Sequence, residues 1–354
     1  MSKPRALWLV VALLALFAVA CGETQDDQDQ ASGESSGEEQ QANPEGEIKE
    51  GLRIVSMPKQ LGNPYEEIEH GGVAKAAEEI GAEHEIVGPT DAGASSQVPL
   101  IQSTMQQDPD AFIIAGNDPN AVAPALKQMS ERGIAVGAFD SDVAPDARKF
   151  FVNQSTTEEI GKAQIEMVAE QTGGKGEIAI LSATANAPNQ NSWIKVMEEE
   201  LKKPEYKDLK LVETAYGDDD DQKSFQETQG LMQAYPDLKA IIAPTTVGIA
   251  AAARYICDSR YRDQVKVTGL GTPNQMRKFV KDGCVEEFAL WSPEDVGYLA
   301  GYAAASLASG IITGAEGEKF EAGELGEYTI GADGEIVLGP PTRFNSENID
   351  EFDF

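Results

Sequence analysis

From residue 51 onward the sequence alternates short apolar runs with longer stretches of helical periodicity, and this alternation limits the folds open to it. Most of the short runs are apolar at consecutive positions, which is typical of parallel strands covered on both faces. Regular strand–helix alternation predicts an α/β protein with doubly wound parallel sheets, and ten strands fit two sheets better than one. The predicted strands are 52–57, 84–87, 111–115, 134–139, 150–153, 178–182, 210–214, 240–243, 265–270 and 285–290.

Residues 1–20 have the pattern of a signal peptide. Lys3 and Arg5 precede an apolar run, residues 6–20, that is shorter than the roughly 20 residues a membrane-spanning helix needs. The small residues before Cys21 resemble the lipobox of bacterial lipoproteins, which implies cleavage before Cys21 and diacylglycerol attachment to its thiol. The alternative is an ordinary signal peptide followed by an incidental cysteine. We therefore expect an exported protein anchored in the lipid bilayer through Cys21, on the outer face of the cytoplasmic membrane.

Residues 21–50 are rich in Glu, Asp, Gln, Ser and Gly and contain almost nothing apolar. Such a segment cannot bury enough surface to offset the entropy of ordering it, so it is predicted to be a disordered acidic tether. The whole chain has 60 acidic and 28 basic residues, and its formal charge of −32 argues against a nucleic-acid partner. Two histidines and three cysteines leave little material for a zinc site, a Ser–His–Asp triad or a disulfide-rich scaffold.

Polar side chains follow the carboxyl ends of the predicted strands, where ligands bind in open α/β sheets. Lys59 follows the first strand, Asp140 the fourth, and Asn189 and Gln190 the sixth. Amides and carboxylates hydrogen-bond pairs of hydroxyls, and an aromatic ring such as that of Trp291 covers the C–H face of a sugar. The glycine patterns of a phosphate-binding loop and of a dinucleotide-binding turn are both missing from the sequence. The strand ends favour a sugar or another polyol as the ligand.

Many short segments, in order, resemble the periplasmic sugar-binding proteins of ABC importers, of the ribose-binding type. Within that group the sequence is most similar to rhamnose-binding proteins and, one step further, to autoinducer-2 binding proteins. The segments that carry the resemblance are MPKQLG (57–62), FDSD (139–142), VNQ (152–154), SATANAPNQNSW (182–193), YGDDDDQKSF (216–225), IAPTT (242–246), GLGTPN (269–274), FALW (288–291) and NIDEFDF (348–354).

The resemblance implies a type I periplasmic-binding-protein fold, with two lobes joined by three crossovers. These are expected near residues 153–156, near 291–293 and within 325–345. The N-terminal lobe would hold residues 51–153 and about 293–330, and the C-terminal lobe residues 154–292 and about 331–354. A monomer of this kind delivers a monosaccharide to a membrane permease and its ATPase.

The resemblance also implies ligand contacts, one position at a time. Asp140 matches a hydroxyl-binding aspartate, although an aspartate after a strand alternatively caps the next turn. Lys59 alternatively is a solvated surface residue, and Trp291 alternatively belongs to the core between the lobes. The full set of ligand-binding candidates is Lys59, Tyr65, Asn117, Asp140, Asn189, Gln190, Pro244, Thr246 and Trp291.

Two departures from the autoinducer-2 binders bear on the ligand. Those proteins have aspartate where this chain has Asn189, and alanine where it has Thr246. A pocket that hydrogen-bonds particular hydroxyls discriminates strongly, so these changes favour rhamnose or a similar monosaccharide, with autoinducer-2 uptake as the alternative. The ligand positions also lack the arginines of ribose binders.

The sequence also predicts roles for two cysteines, a run of aspartates and the two histidines. Cys257 and Cys284 are expected at the lower edge of one sheet in an oxidising compartment, where they either pair as a disulfide or remain free. The run 218–221 of four aspartates lacks the alternating spacing of a calcium loop and is predicted to stabilise the N-terminus of the next helix. His70 and His84 are interpreted as structural or surface residues.

The sequence bears on three classes of function. A sugar-responsive transcription regulator would need a basic helix-turn-helix in place of the secretion signal. An enzyme would need an acid–base pair or a metal, and the nearest pair, Asp140 and Asp142, points to opposite faces if the strand continues. A binding protein for sugar import explains the signal, the tether and the polar strand ends together. We therefore predict a protein without catalytic residues, cofactor or metal.

Overall fold

The computed structural model of the protein describes residues 41–354. The predicted signal peptide, Cys21 and the tether as far as residue 40 lie outside the described residues. The strands are β1 Arg53–Met57, β2 Glu83–Ile86, β3 Ala111–Ile114, β4 Ala135–Phe139, β5 Phe150–Asn153, β6 Lys175–Ser182, β7 Asp208–Tyr216, β8 Leu238–Ala243, β9 Lys266–Gly269, β10 Glu287–Leu290, β11 Lys319–Glu321, β12 Glu327–Thr329, β13 Glu335–Val337 and β14 Thr342–Asn345. The α-helices are α1 Pro64–Ile80, α2 Val98–Met105, α3 Pro119–Glu131, α4 Thr157–Thr172, α5 Pro188–Glu200, α6 Asp221–Ala234, α7 Thr246–Cys257, α8 Pro273–Lys281 and α9 Pro293–Ser309.

The N-terminal lobe is built on a six-stranded parallel sheet in the order β13-β5-β4-β3-β1-β2. Both faces of this sheet are covered, which explains why its central strands are apolar at consecutive positions. Ile113 of β3 packs with residues of α1 and α9. Its neighbours Phe112 and Ile114 pack with residues of α2 and α3 on the other face. The α/β, doubly wound prediction is therefore confirmed.

The C-terminal lobe has a four-stranded parallel sheet in the order β7-β6-β8-β9. A parallel bridge between Leu270 and Ala289 brings β10 next to β9. On its other side β10 pairs with β14, and that pair is antiparallel. The strands β11 to β14 escaped sequence analysis because they mix buried and exposed residues and lack the continuous apolar runs of the central strands.

Three crossovers join the lobes. The chain leaves the first lobe between β5 and α4, returns between β10 and α9, and leaves again between β13 and β14. The predicted lobe boundary near residue 331 is wrong, because β13 pairs with β5 of the N-terminal sheet. Residues 331–337 therefore belong to the N-terminal lobe, and the third crossover occupies residues 338–341.

The predicted end of the tether at residue 50 also needs correction. The Asn43 backbone N–H donates to the Gly310 carbonyl at 2.9 Å, and Lys49 Nζ donates to the Ala308 carbonyl at 2.9 Å. Ile48 packs, partly buried, against the core. The last carbonyl groups of a helix have no hydrogen-bond partner within the helix. The donors from Asn43 and Lys49 supply partners for two carbonyls at the C-terminal end of α9. The described segment from residue 43 is thus bound to the N-terminal lobe.

Helices α1 and α9 touch backbone to backbone through two glycines. A Cβ atom on Gly72 would lie 1.9 Å from the Glu294 carbonyl oxygen, and one on Gly297 would lie 1.7 Å from the Glu69 carbonyl oxygen. Any other residue at either position would push the helices apart. The contact fixes α1 against the helix that begins directly after the second crossover.

A disulfide joins Cys257, the last residue of α7, to Cys284, which precedes β10. The two cysteines that the sequence left either paired or free are therefore bonded in the structure. Between residues 41 and 354, no helix is both long enough and apolar enough to span a membrane.

Candidate functional site

A narrow cavity lies between the lobes. It sits at the carboxyl ends of the strands, as expected for an open α/β sheet. Its lining comes from both lobes and from the second crossover: Lys59, Asn63, Tyr65, Glu66, Asp140, Asn189, Gln190, Trp193, Asp219, Pro244, Thr245, Thr246, Leu270, Leu290 and Trp291.

Eight of the nine ligand-binding candidates line this cavity, and Asn117 does not. The Asn117 amide donates to the Lys59 carbonyl at 2.8 Å, and its backbone N–H donates to Gln97 at 2.9 Å. Asn117 therefore holds the loop that carries Lys59. Its position at a strand end was predicted correctly, but the sequence does not show that its side chain makes hydrogen bonds within the N-terminal lobe and not to a ligand.

The lining side chains occupy strand ends and the first turns of helices. Tyr65 and Glu66 lie in the first turn of α1, where Asn63 caps the helix by accepting from the Tyr65 N–H at 3.0 Å. Asn189 and Gln190 lie in the first turn of α5, and Thr246 is the first residue of α7. Helix N-termini carry a partial positive charge, which favours oxygen-rich ligands and ionised carboxylates at this point.

Lys59 is 5% exposed and reaches across the cleft. Its Nζ lies 3.5 Å from an Asp219 carboxylate oxygen and 3.5 Å from Gln190 Oε1. Burial disfavours the ammonium, but attraction to Asp219, Asp140 and Glu66 outweighs burial and raises the pKa of Lys59 above 10.5. The alternative of a solvated surface lysine is wrong for this structure.

Asp140 follows β4 with a φ of 56°, in the left-handed region that aspartate tolerates better than most residues. Its carboxylate accepts from the Tyr65 hydroxyl at 3.1 Å and from the Asn189 amide at 3.5 Å. Burial raises the pKa of Asp140 to about 6, although Lys59 and Tyr65 oppose the rise. Asp142 instead accepts from Arg148 at 2.5 and 2.7 Å. The two aspartates do not form an acid–base pair.

Asp219 is a cavity residue that sequence analysis missed. Asp220 caps α6 by accepting from the Lys223 N–H at 2.6 Å, in line with the role predicted for the acidic run. Asp219 is buried, accepts from the Thr245 hydroxyl and faces Lys59. Its φ of 51° lies in the left-handed region and changes the direction of the side chain. A run of four aspartates does not indicate such a backbone conformation.

Two buried glutamates on α1 were also missed. Burial, reinforced by Asp140, raises the pKa of Glu66 to about 8 and the pKa of Glu69 well above its usual value. At neutral pH Glu66 is therefore largely protonated, and because it lines the cavity it can donate a hydrogen bond to a ligand oxygen. Potential ligand atoms of Glu66, Glu69 and His70 lie within 4.8 Å of one another. The positive charge of Lys59, which acts on both glutamates, opposes the binding of a cation there.

The two histidines are joined through one serine. Ser56 Oγ lies 2.6 Å from His70 Nδ1 and 2.7 Å from His84 Nε2. Burial lowers the pKa of His70 to about 3, with a further contribution from His84. Both rings therefore link β1, α1 and β2 in the neutral form, consistent with a structural role.

Trp291 combines the two roles that the sequence left open. It is 4% exposed, lines the cavity and donates from Nε1 to the Tyr65 hydroxyl at 2.8 Å. Its ring lies 5.9 Å from that of Trp193, centroid to centroid. The second crossover is therefore packed into the wall of the cavity.

Two hinged lobes that meet across a buried, hydrogen-bonding cavity define a protein that closes on a small polar ligand. Residues 54–311 match the family described as periplasmic binding protein domain, and the chain belongs to this family. Its members are extracytoplasmic, non-enzymatic solute-binding proteins.

Solved structures give more detail. The chain is 54% identical to a sugar ABC transporter protein from Actinomyces odontolyticus, over 86% of this chain and 98% of that chain, with a TM-score of 0.70. It is 38% identical to an ABC transporter solute-binding protein from Clostridium phytofermentas with bound L-rhamnose, over 85% and 98%, with a TM-score of 0.83. It is 25% identical to LsrB from Clostridium saccharobutylicum in complex with AI-2, over 86% and 100%, with a TM-score of 0.81. The predicted family and fold are confirmed, and the protein is a solute-binding protein of the sugar ABC-transporter type.

Proposed function

We propose that this protein binds L-rhamnose or a closely similar monosaccharide and delivers it to the permease of an ABC importer. The observation that carries the proposal is the meeting of hydrogen-bonding groups from both lobes in one buried cavity. Lys59 and Asp140 come from the N-terminal lobe, and Asn189 and Gln190 come from the C-terminal lobe. The L-rhamnose complex of the 38% identical relative supports the choice of sugar.

The mechanism is capture, closure and delivery. The sugar first meets the N-terminal lobe, where Asp140 and Lys59 bind its hydroxyls. The C-terminal lobe then closes with Asn189, Gln190 and Thr246. Lys59 Nζ and Gln190 Oε1 lie 3.5 Å apart, as do the Asn189 amide nitrogen and an Asp140 carboxylate oxygen, and this distance is long for a hydrogen bond. A sugar hydroxyl between the members of each pair can make two better ones, and the closed form then docks on the permease.

Autoinducer-2 uptake is the second candidate. It is supported by the likeness to LsrB in complex with AI-2. It is also supported by Lys59, because the sequence resemblance matches this residue to a lysine that contacts the ligand in autoinducer-2 binders. Asn189 and Thr246 count against it, because the sequence resemblance puts aspartate and alanine at these positions in autoinducer-2 binders. We rank it below rhamnose for this reason.

Lipid anchoring through Cys21 is part of the proposal. The modified protein would stand on the outer face of the cytoplasmic membrane, with the acidic segment as the spacer. Cys21→Ser should release the full-length protein from membranes into the soluble fraction, whereas Cys284→Ser should not. Retention of Cys21→Ser in the membrane would contradict a lipid anchor.

Calorimetry of the mature protein tests the ligand. We expect L-rhamnose to bind more tightly than autoinducer-2, ribose, xylose and galactose, and chromatography of the released ligand to show it unaltered. Tight binding of autoinducer-2 with no response to L-rhamnose would reverse the ranking. Conversion of any of these compounds would contradict a binding function.

A further inference from the structure

The lining of the cavity is divided into two chemically different parts. Charged and amide groups occupy one part. The other part, which we call the apolar wall, consists of Trp193, Pro244, Leu270, Leu290 and Trp291. Its two leucines are aliphatic residues at strand ends, where the rest of the site has hydrogen-bonding side chains.

Three members of the apolar wall lie at the ends of neighbouring strands. The Leu270 N–H donates to the Ala243 carbonyl at 2.9 Å, and the Gly271 N–H donates to the Ala289 carbonyl at 3.1 Å. These bonds hold β8, β9 and β10 side by side at their carboxyl ends, about 4.8 Å apart. Pro244, Leu270 and Leu290 end or follow these strands, so they lie in a row along one edge of the sheet, with Leu290 one residue beyond the partner of Leu270.

The tryptophans extend this row. Trp291 follows Leu290 directly, and its ring contacts that of Trp193 edge to face. Leu290 is 1% exposed and Leu270 3%, so the wall is closed to solvent. A group placed against it is removed from water.

Two polar groups that adjoin the apolar wall, the indole N–H of Trp291 and the hydroxyl of Thr245 beside Pro244, already have partners within the protein. Trp291 Nε1 donates to the Tyr65 hydroxyl, and the Thr245 hydroxyl donates to Asp219. A ligand hydroxyl directed at the leucines would lose its water without gaining a hydrogen bond, which weakens affinity roughly 5- to 150-fold. A methyl group at the same place gains roughly fourfold in affinity from burial.

We propose that the apolar wall is a subsite for the methyl group of a 6-deoxysugar, and that Leu270 and Leu290 exclude the corresponding 6-hydroxylated sugar. This inference rests on the proposed function, because it takes the ligand to be a monosaccharide of the rhamnose type. The carboxyl and amide part of the cavity then binds the ring hydroxyls, and the leucines select the substituent on C5.

Three sugars that differ only in that substituent test the subsite. L-Rhamnose carries a methyl group, L-mannose a hydroxymethyl group and L-lyxose a hydrogen atom. Calorimetry should give the lowest Kd for L-rhamnose, a Kd about fourfold higher for L-lyxose and a Kd at least about tenfold higher for L-mannose. Binding of L-mannose within threefold of L-rhamnose would overturn the subsite and leave the proposed function standing. Failure of all three sugars to bind would overturn both.

A matched pair of variants locates the effect. Leu270→Thr places a hydroxyl in the wall, whereas Leu238→Thr makes the same change at the other end of neighbouring β8, in a residue that is 2% exposed and outside the cavity lining. The ratio of the Kd for L-mannose to that for L-rhamnose should fall at least about fivefold in Leu270→Thr and stay constant in Leu238→Thr. This ratio does not depend on the folded fraction. An unchanged ratio in folded Leu270→Thr overturns the subsite, and the three-sugar series on the unaltered protein decides the matter if the variant does not fold.

Discussion

The two lobes bring different chemistry to one cavity. The N-terminal lobe supplies buried ionisable groups, Lys59, Glu66 and Asp140, whereas the C-terminal lobe supplies the amides Asn189 and Gln190 and the apolar wall. Asp219 is the acidic exception in the C-terminal lobe.

This difference between the lobes indicates how each contributes to ligand binding. The N-terminal lobe supports its charged groups with its own residues, since Tyr65 donates to Asp140 and the Asn117 amide donates to the Lys59 carbonyl, although Lys59 also faces Asp219 across the cleft. Its groups are thus placed before a ligand arrives. The C-terminal lobe contributes neutral contacts on closure, so we expect affinity to depend mainly on the first lobe and selectivity mainly on the second.

The largest effect should come from Asp140→Ala. A hydrogen bond to a charged group contributes about 1.5–3 kcal/mol, so the Kd for the sugar should rise roughly 10- to 150-fold in calorimetry. Asp146→Ala is the control, because Asp146 is an exposed aspartate of the same lobe that pairs with Lys127 outside the cavity. An unchanged Kd in Asp140→Ala would remove Asp140 from the site and break the comparison.

An intermediate effect should follow from pH. Burial raises the pKa of Asp140 from 3.8 to about 6, so the carboxylate loses its charge as the pH falls through 6. If the sugar needs the ionised form, the Kd should rise about tenfold between pH 7 and pH 5. Stability of the ligand-free protein should move the other way, since a raised folded-state pKa costs stability as the pH rises from about 3.8 through 6.

Calorimetry and thermal unfolding at pH 5, 6 and 7 measure both trends. The Asp140→Asn variant has no proton to gain, so its Kd should be flat over this range. Equal affinity of the unaltered protein at pH 5 and pH 7 would show that the ligand does not rely on a charged Asp140.

The smallest effect should come from Gln190→Ala. A neutral hydrogen bond contributes about 0.5–1.5 kcal/mol, which corresponds to a two- to tenfold rise in Kd. Gln222→Ala, on the exposed surface of α6, is the matched control. A loss as large as that of Asp140→Ala would mean that the two lobes contribute equally, against the division proposed above.

Much of the fold could be predicted from sequence because the central strands are buried on both faces. Runs such as residues 111–115 have no polar face, and this pattern is visible without any tertiary information. The pairing of β13 with β5 was invisible, since three residues far along the chain find their partner only through the packed lobe. The attachment of Lys49 to the end of α9 was hidden in the same way, within a segment of disordered composition.

The candidate site shows the same limit at finer scale. Lys59 and Asp140 could be proposed because they follow strands, and strand ends meet at one edge. Asp219 could not, because its inward direction depends on a left-handed backbone that an acidic run does not reveal. Asn117 shows the reverse case, in which a correct strand-end position says nothing about where the amide points.

The close approach of α1 and α9 has a consequence for variation at a distance from the ligand. Gly72 and Gly297 hold in place the helix whose first turn presents Tyr65 and Glu66. A methyl group added to either glycine would tilt that turn and misalign the groups around it without altering any of them. Random mutagenesis screened for weakened sugar uptake should therefore return substitutions at this helix crossing, where nothing imported ever makes contact.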